Sequence, residues 1–329
     1  MPKNYESGGG SGGETPLDKK CEELIWLFEH SRYDLDDFRN RRNYQDHEID
    51  ADQRKLDEKM SRFDYNENAY AALDQDKVLE AVTQYMGNHG QIFTQESFAE
   101  PGSEYDDFFN GADIVFGLPQ PNGERDVVFN VDACTATNPE AVAKKFYRSD
   151  TYSHENTPGC NSLRYYAHEK TRTRINPSPH YIIGTMPARI SEVANKFDID
   201  GPEITNEVDE NFRRKILAEL FIQSQTGYIS CLNVPKSKQD DRTKKAYKAH
   251  KAVNVAAKSA LIQSFGLEQN EETDKLLSDM ISDFVSKNMR TDDTFATIWS
   301  ESIRRNKAAK NVRAAQRANA VATKLKPDS

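Results

Sequence analysis

Residues 111–134 read GADIVFGLPQPNGERDVVFNVDAC. Two runs rich in Val, Ile and Phe flank Pro119, Pro121, Asn122 and Gly123, the pattern of two strands joined by a turn. Each run carries one carboxylate among apolar neighbours: Asp113 near the start of the first, Asp132 near the end of the second. A carboxylate seldom enters a buried strand without a partner, because leaving water costs the charge its hydration. The pair therefore reads in one of two ways. It is a metal site, or it is two strand-end aspartates facing water, with Asp113 bonded to local backbone amides.

Working outward, LDQDKVLEAVTQYMGN (73–88) places Val78, Leu79, Val82 and Tyr85 on one face and predicts an amphipathic helix. IFTQESF (92–98) reads as a strand, and SEYDDFFNG (103–111) as a turn or short helix. After the quoted stretch, Asn138-Pro139-Glu140 is a helix start, with a cap, a proline in the first turn and an acid suited to the helix dipole. Residues 149–177 read as irregular. HYIIGTM (180–186) is a strand, and 188–197 and 207–232 are helices. The remainder, 240–326, is helical with breaks near Gly266 and Thr291. This order predicts a mixed α/β fold. Its small mixed sheet has about four strands (92–98, 112–118, 126–134 and 180–186) flanked by helices.

The expected organisation is a Gly/Ser-rich disordered tail at 1–15, an acidic helical extension at 16–72, an α/β core at 73–232 and a basic helical region at 233–329. The net charge of −9 argues against a wholly basic nucleic-acid binder, but the charge is uneven. Residues 34–74 are strongly acidic. Between Arg304 and Lys326 stand eight basic residues and no acid. No apolar run approaches the roughly 20 residues of a membrane span, and the N-terminus lacks the apolar centre of a secretory signal, so a cytoplasmic protein without a membrane partner is expected. The four cysteines are scattered, which argues against a zinc knuckle or a disulfide framework.

The order of elements, with an Asp on the second strand and an Asp late on the third, resembles the restriction-endonuclease-like core of the PD-(D/E)xK nucleases. It is also similar to uncharacterised bacterial proteins built on that core, in which SEYDDFFNGADIVF, VVFNVDACTA-x-NPE and HYIIG recur in similar form. The resemblance covers roughly residues 76–225 and implies a metal-dependent phosphodiesterase that binds nucleic acid. Mg²⁺ or Mn²⁺ wants oxygen ligands. Asp113, Asp132 and the Ala133 carbonyl fit, with Glu104 or Glu96 as a further acid. Active members keep a lysine two residues after the second acid. Here that position is Cys134. Lys144 or Lys145 on the next helix is the candidate replacement, and cleavage is expected to be slow or absent.

The C-terminal basic run is the second candidate. Arg304, Arg305, Lys307, Lys310, Arg313 and Arg317 on a weakly apolar helix predict a salt-sensitive contact with the DNA or RNA backbone. The alternative function is a non-enzymatic interaction protein whose helical ends dock on a protein partner in a larger complex.

Overall fold

The computed structural model describes residues 19–63, 67–120, 125–136, 138–152, 157–169, 171–198, 205–206 and 209–324. The tail expected at 1–15 and the turn at 121–124 lie outside them. The described residues form a mixed α/β fold around one five-stranded sheet, β1 (Phe98–Pro101), β2 (Ile114–Leu118), β3 (Val127–Cys134), β4 (Cys160–His168) and β5 (Thr171–Gly184), in the order β1-β2-β3-β5-β4. β1, β2 and β3 run antiparallel, β3 and β5 parallel, and β4 closes the far edge antiparallel to β5. A two-stranded pair, β6 (Phe197–Asp198) with β7 (Thr205–Asn206), stands apart.

Helices wrap the sheet: α1 (Lys19–His30), α2 (Asp46–Phe63), α3 (Glu67–Asn88), α4 (Glu104–Asn110), α5 (Pro139–Tyr152), α6 (Pro187–Ala194), α7 (Glu210–Asn233), α8 (Asp241–Ser264), α9 (Thr273–Asn288) and α10 (Asp293–Lys324). The alternation of the strands divides their side chains. Ile114, Phe116, Phe129, Val131 and Ala133 enter the main core with Leu79 and Val82 of α3 and Leu217 of α7. Cys134 and Ile182 face the other way, against Val142 and Phe146 of α5 and Ile298 of α10. The main core also takes in Leu24 and Phe28 of α1, Val253 of α8 and Phe295 of α10. One core thus runs across the boundaries expected at 72 and 232.

Two expected elements are corrected. The strand read over 92–98 is confined to Phe98–Pro101; Ile92 and Phe93 are buried from a turn closed by Ser97 N–H donating to the Thr94 carbonyl (3.1 Å). The stretch read as irregular, 149–177, contains the end of α5, all of β4 and the first half of β5. Its arginines hid the strand pattern. Arg174 pairs with Glu48 at 2.7 Å, and the Arg164 guanidinium faces Asp52 of α2 at 2.5 Å. Pro177 and Pro179 also argued against a strand, since proline cannot donate to a ladder. Pairing of β5 with β3 begins only at His180, past both prolines.

The α7–α8 contact depends on a missing side chain. A Cβ at Gly227 would stand 2.3 Å from the His250 imidazole. Helix propensity favours alanine by about 1 kcal/mol, but forced overpacking costs typically 1–3 kcal/mol, and the ring is pinned on both nitrogens (below). Gly227→Ala is therefore expected to lower the melting temperature; an unchanged or raised value would show that the two helices are free to separate.

Candidate active site

Asp113 immediately precedes β2, and its N–H donates to the Val131 carbonyl at 3.0 Å, which sets it across from Asp132 on the same face of the sheet. Both are buried. Asp113 Oδ2 accepts the Ala133 N–H at 2.7 Å, a bond across to the neighbouring strand and not to a local amide. It does not account for the rest of the arrangement. The Lys145 ammonium, from α5, donates to both Asp132 Oδ1 and the Ala133 carbonyl. The helix start that sequence predicted makes this reach possible: Asn138 Oδ1 accepts the Glu140 N–H at 2.9 Å, and Lys145 falls on the inward face two turns later. Lys144 is on the outer face and exposed.

Four groups that the sequence reading did not single out, Arg32, Lys77, Glu80 and Asp107, join the pair. α4 is capped by Ser103, whose Oγ accepts the Asp106 N–H at 3.1 Å, and it ends at Gly111 in the left-handed region (φ 64°). A Cβ at Gly111 would lie 3.3 Å from Asp132 Oδ2, so the helix ends against the site. α4 carries Asp107, which accepts from Arg32 Nη1 at 2.8 Å and lies 3.4 Å from Lys77 Nζ. Glu80 of α3 accepts from the same Lys77 at 2.9 Å. Glu80 was legible as a carboxylate inside the apolar face of VLEAV. Nothing in the sequence separated Asp107 from its neighbour Asp106, which accepts from the Ser103 hydroxyl and binds the β4 backbone.

The electrostatics follow from burial. Burial, then the charges of Glu80, Asp132 and Asp107, push the Asp113 carboxyl well above the usual range. Burial pushes Glu80 up to about 7 against the pull of Lys77. Asp107 is held low by Lys77 and Arg32, whose charges outweigh its burial. Lys145 is held charged by Asp132, Asp113 and Asp76, which overcome its own desolvation. Burial raises the Cys134 thiol to about 12, so it is a packed neutral side chain and no nucleophile.

His180 of β5 borders the same face. Asn130 Nδ2 donates to Asn161 Oδ1 at 2.7 Å and Ser178 Oγ at 2.9 Å, which leaves Asn130 Oδ1 as the acceptor facing His180 Nδ1 at 2.6 Å. The imidazole therefore carries its proton on Nδ1, and burial lowers its pKa to about 4, keeping it neutral.

The other expected residues fall elsewhere. Glu104 lies against a small cavity lined by Tyr33, Asp34, Asp36 and Gln53, and Glu80 is the carboxylate whose charge bears most on Asp113. Glu96 is exposed in a turn. Among the described residues no three His, Cys, Asp or Glu side chains already form a metal cage. On α10, Arg304 and Arg305 pair with Glu301, and Arg313 donates to the Leu232 carbonyl at 2.8 Å, closing the end of α7. Lys307, Lys310 and Arg317 are exposed. No helix among the described residues is long and apolar enough to cross a membrane. Comparison with protein-family models, with curated proteins and with solved structures finds no match to the chain.

Proposed function

We propose that the chain is a metal-dependent phosphodiesterase acting on nucleic acid, with a core of the PD-(D/E)xK kind and a lysine supplied from α5 in place of the residue at Cys134. The observation that carries this reading is the seat between Asp132 Oδ1 and the Ala133 carbonyl, beside Asp113, which already holds a cation: the Lys145 ammonium. Its donors are all hard oxygens, which suits Mg²⁺ or Mn²⁺. Asp113, Asp132 and the Ala133 carbonyl would hold such an ion. Bound there, it would polarise a phosphate and lower the pKa of a water. Sheet polarity supports the same reading: β1, β2 and β3 run antiparallel with α4 between the first two, and β5, reached through α5 and β4, runs parallel to β3.

Lys145 keeps a positive charge at the edge of the seat, where negative charge grows on a phosphate in the transition state. The partly buried Arg32–Lys77–Glu80–Asp107 network ties α3 to α4 beside Asp113 and limits how far the acids can separate. Incubation with supercoiled plasmid and with single-stranded DNA and RNA should give cleavage in Mg²⁺ or Mn²⁺ and none in EDTA. Asp113→Asn and Asp132→Asn should each reduce it at least about 10²-fold. Equal cleavage by both variants would place the chemistry elsewhere. Absence of cleavage together with absence of metal binding by calorimetry at millimolar concentration would favour the interaction-protein reading.

A further inference from the structure

The segment Lys144-Lys145-Phe146-Tyr147-Arg148 of α5 divides between two directions. Lys145 points inward to Asp132, and Phe146 is buried with the Arg305 guanidinium 4.8 Å from its ring centre. Lys144, Tyr147 and Arg148, at spacings of three and four, share the outer face; Tyr147 is 71% exposed. A further cation, Lys59, comes from α2. Its ammonium donates to the Phe108 carbonyl at the end of α4 and lies 4.5 Å from the Phe109 ring centre. It is within Coulombic range of Arg148. Phe108 adjoins Asp107 in the chain, and Arg148 is one turn from Lys145, so these cations stand on or against the two helices, α4 and α5, that border the carboxylate seat.

Two like charges brought together on separate elements repel each other, and the fold has to hold them there. Burial, and then the charge of Arg148, lower the Lys59 pKa, and Asp107 counteracts them as a smaller contribution. An anion between Lys59 and Arg148 would relieve this repulsion. An exposed aromatic ring between basic residues suits a strand whose bases stack while its phosphates meet cations.

We propose that Lys59, Lys144 and Arg148, with Tyr147 between them, form the track along which a nucleic-acid backbone reaches the carboxylate seat, and that this track, more than the basic run on α10, sets affinity. The inference rests on the phosphodiesterase reading for what lies at the end of the track, but it concerns binding alone. The α10 run is weaker as a footprint: Arg304, Arg305 and Arg313 are engaged within the fold.

The test is fluorescence anisotropy with a fluorescein-labelled 20-base single strand and the matching duplex. It is run in EDTA, so that cleavage plays no part, across a salt series on the full chain. Wild type is compared with the triple variant Lys59→Gln/Lys144→Gln/Arg148→Gln and with Lys307→Gln/Lys310→Gln/Arg317→Gln. Melting curves confirm that all three are folded, and Lys144→Gln/Arg148→Gln replaces the first variant if loss of Lys59 unfolds it. The track variant should bind at least about tenfold more weakly, and its duplex salt slope should fall by about 0.9 for each phosphate it no longer neutralises. Tyr147→Ala should weaken the single strand more than the duplex. Unchanged affinity and slope in the track variant, with the loss falling on the α10 variant, would overturn the track and leave the phosphodiesterase reading standing. No binding of either probe by wild type at low salt would overturn both.

Discussion

Lys145→Met will cost the protein stability and, on the phosphodiesterase reading, cleavage, and the stability loss will be partly restored by a divalent cation. In EDTA the substitution leaves Asp132 and Asp113 facing each other with their nearest cation gone. Breaking a buried ion pair from one side costs roughly 3–5 kcal/mol. The Lys145 side chain is 23% exposed, which puts the expected loss near the lower figure. Mg²⁺ or Mn²⁺ should then raise the melting temperature of Lys145→Met more than that of wild type, because in wild type the ion must first displace the ammonium. Cleavage in saturating metal should fall by about 10²–10³, the usual effect of deleting one well-placed charge. Lys145→Arg, which keeps the charge, should retain most of the stability. Identical melting of wild type and Lys145→Met in EDTA, with no response to metal, would show that the ammonium spends its time in water.

The fold should also lose stability steeply in mild acid, through His250. This residue is 1% exposed, at the meeting of α7, α8 and β5. Its Nε2 donates to the Pro158 carbonyl at 3.0 Å, and its Nδ1 accepts from the Tyr181 hydroxyl at 2.9 Å, so both nitrogens are satisfied in the neutral form. Burial lowers its pKa to about 4, against an unfolded value near 6.5. Between those values the unfolded chain binds the extra proton and the native chain refuses it. The contribution is fully present above pH 6.5 and declines as pH falls towards 4. At about 1.36 kcal/mol for each pH unit between the two values, it amounts to about 3 kcal/mol. His180, also lowered to about 4, acts in the same direction. Carboxyls raised by burial, such as Glu219 and Asp106, act in the opposite one. The difference in unfolding free energy between wild type and His250→Gln isolates this contribution. It should shrink by about 3 kcal/mol from pH 7 to pH 4. A difference constant over that range would show that the native imidazole takes up its proton in the same range as the unfolded chain.

The sequence by itself determined the middle of the sheet. Val and Ile at alternate positions, a Pro-rich break between 118 and 125, and an Asn-Pro-Glu start at 138 are local signals. They set β2, β3 and α5 without reference to anything distant. They also fixed Asp113 and Asp132 at the strand ends and made Lys144 and Lys145 candidates, between which only the fold chose. Only the tertiary structure decided what surrounds them. β4 and the first half of β5 carry arginines whose charges are matched by Glu48 and Asp52, more than a hundred residues earlier. A one-dimensional pattern registers those arginines as loop. Asp106 and Asp107 are indistinguishable as letters; one bonds the capping Ser103 and the backbone of β4, while the other enters the ionic network. The same holds for the basic residues. A run of like charge on α10 is visible in the chain, but its engagement with Glu301 and the end of α7 is not. Lys59 and Arg148, 89 positions apart in the chain, come within Coulombic range only once the chain has folded. Helix and strand formation follow from spacing within a dozen residues, whereas the charge of a site is a sum over elements that only folding brings within a few ångströms.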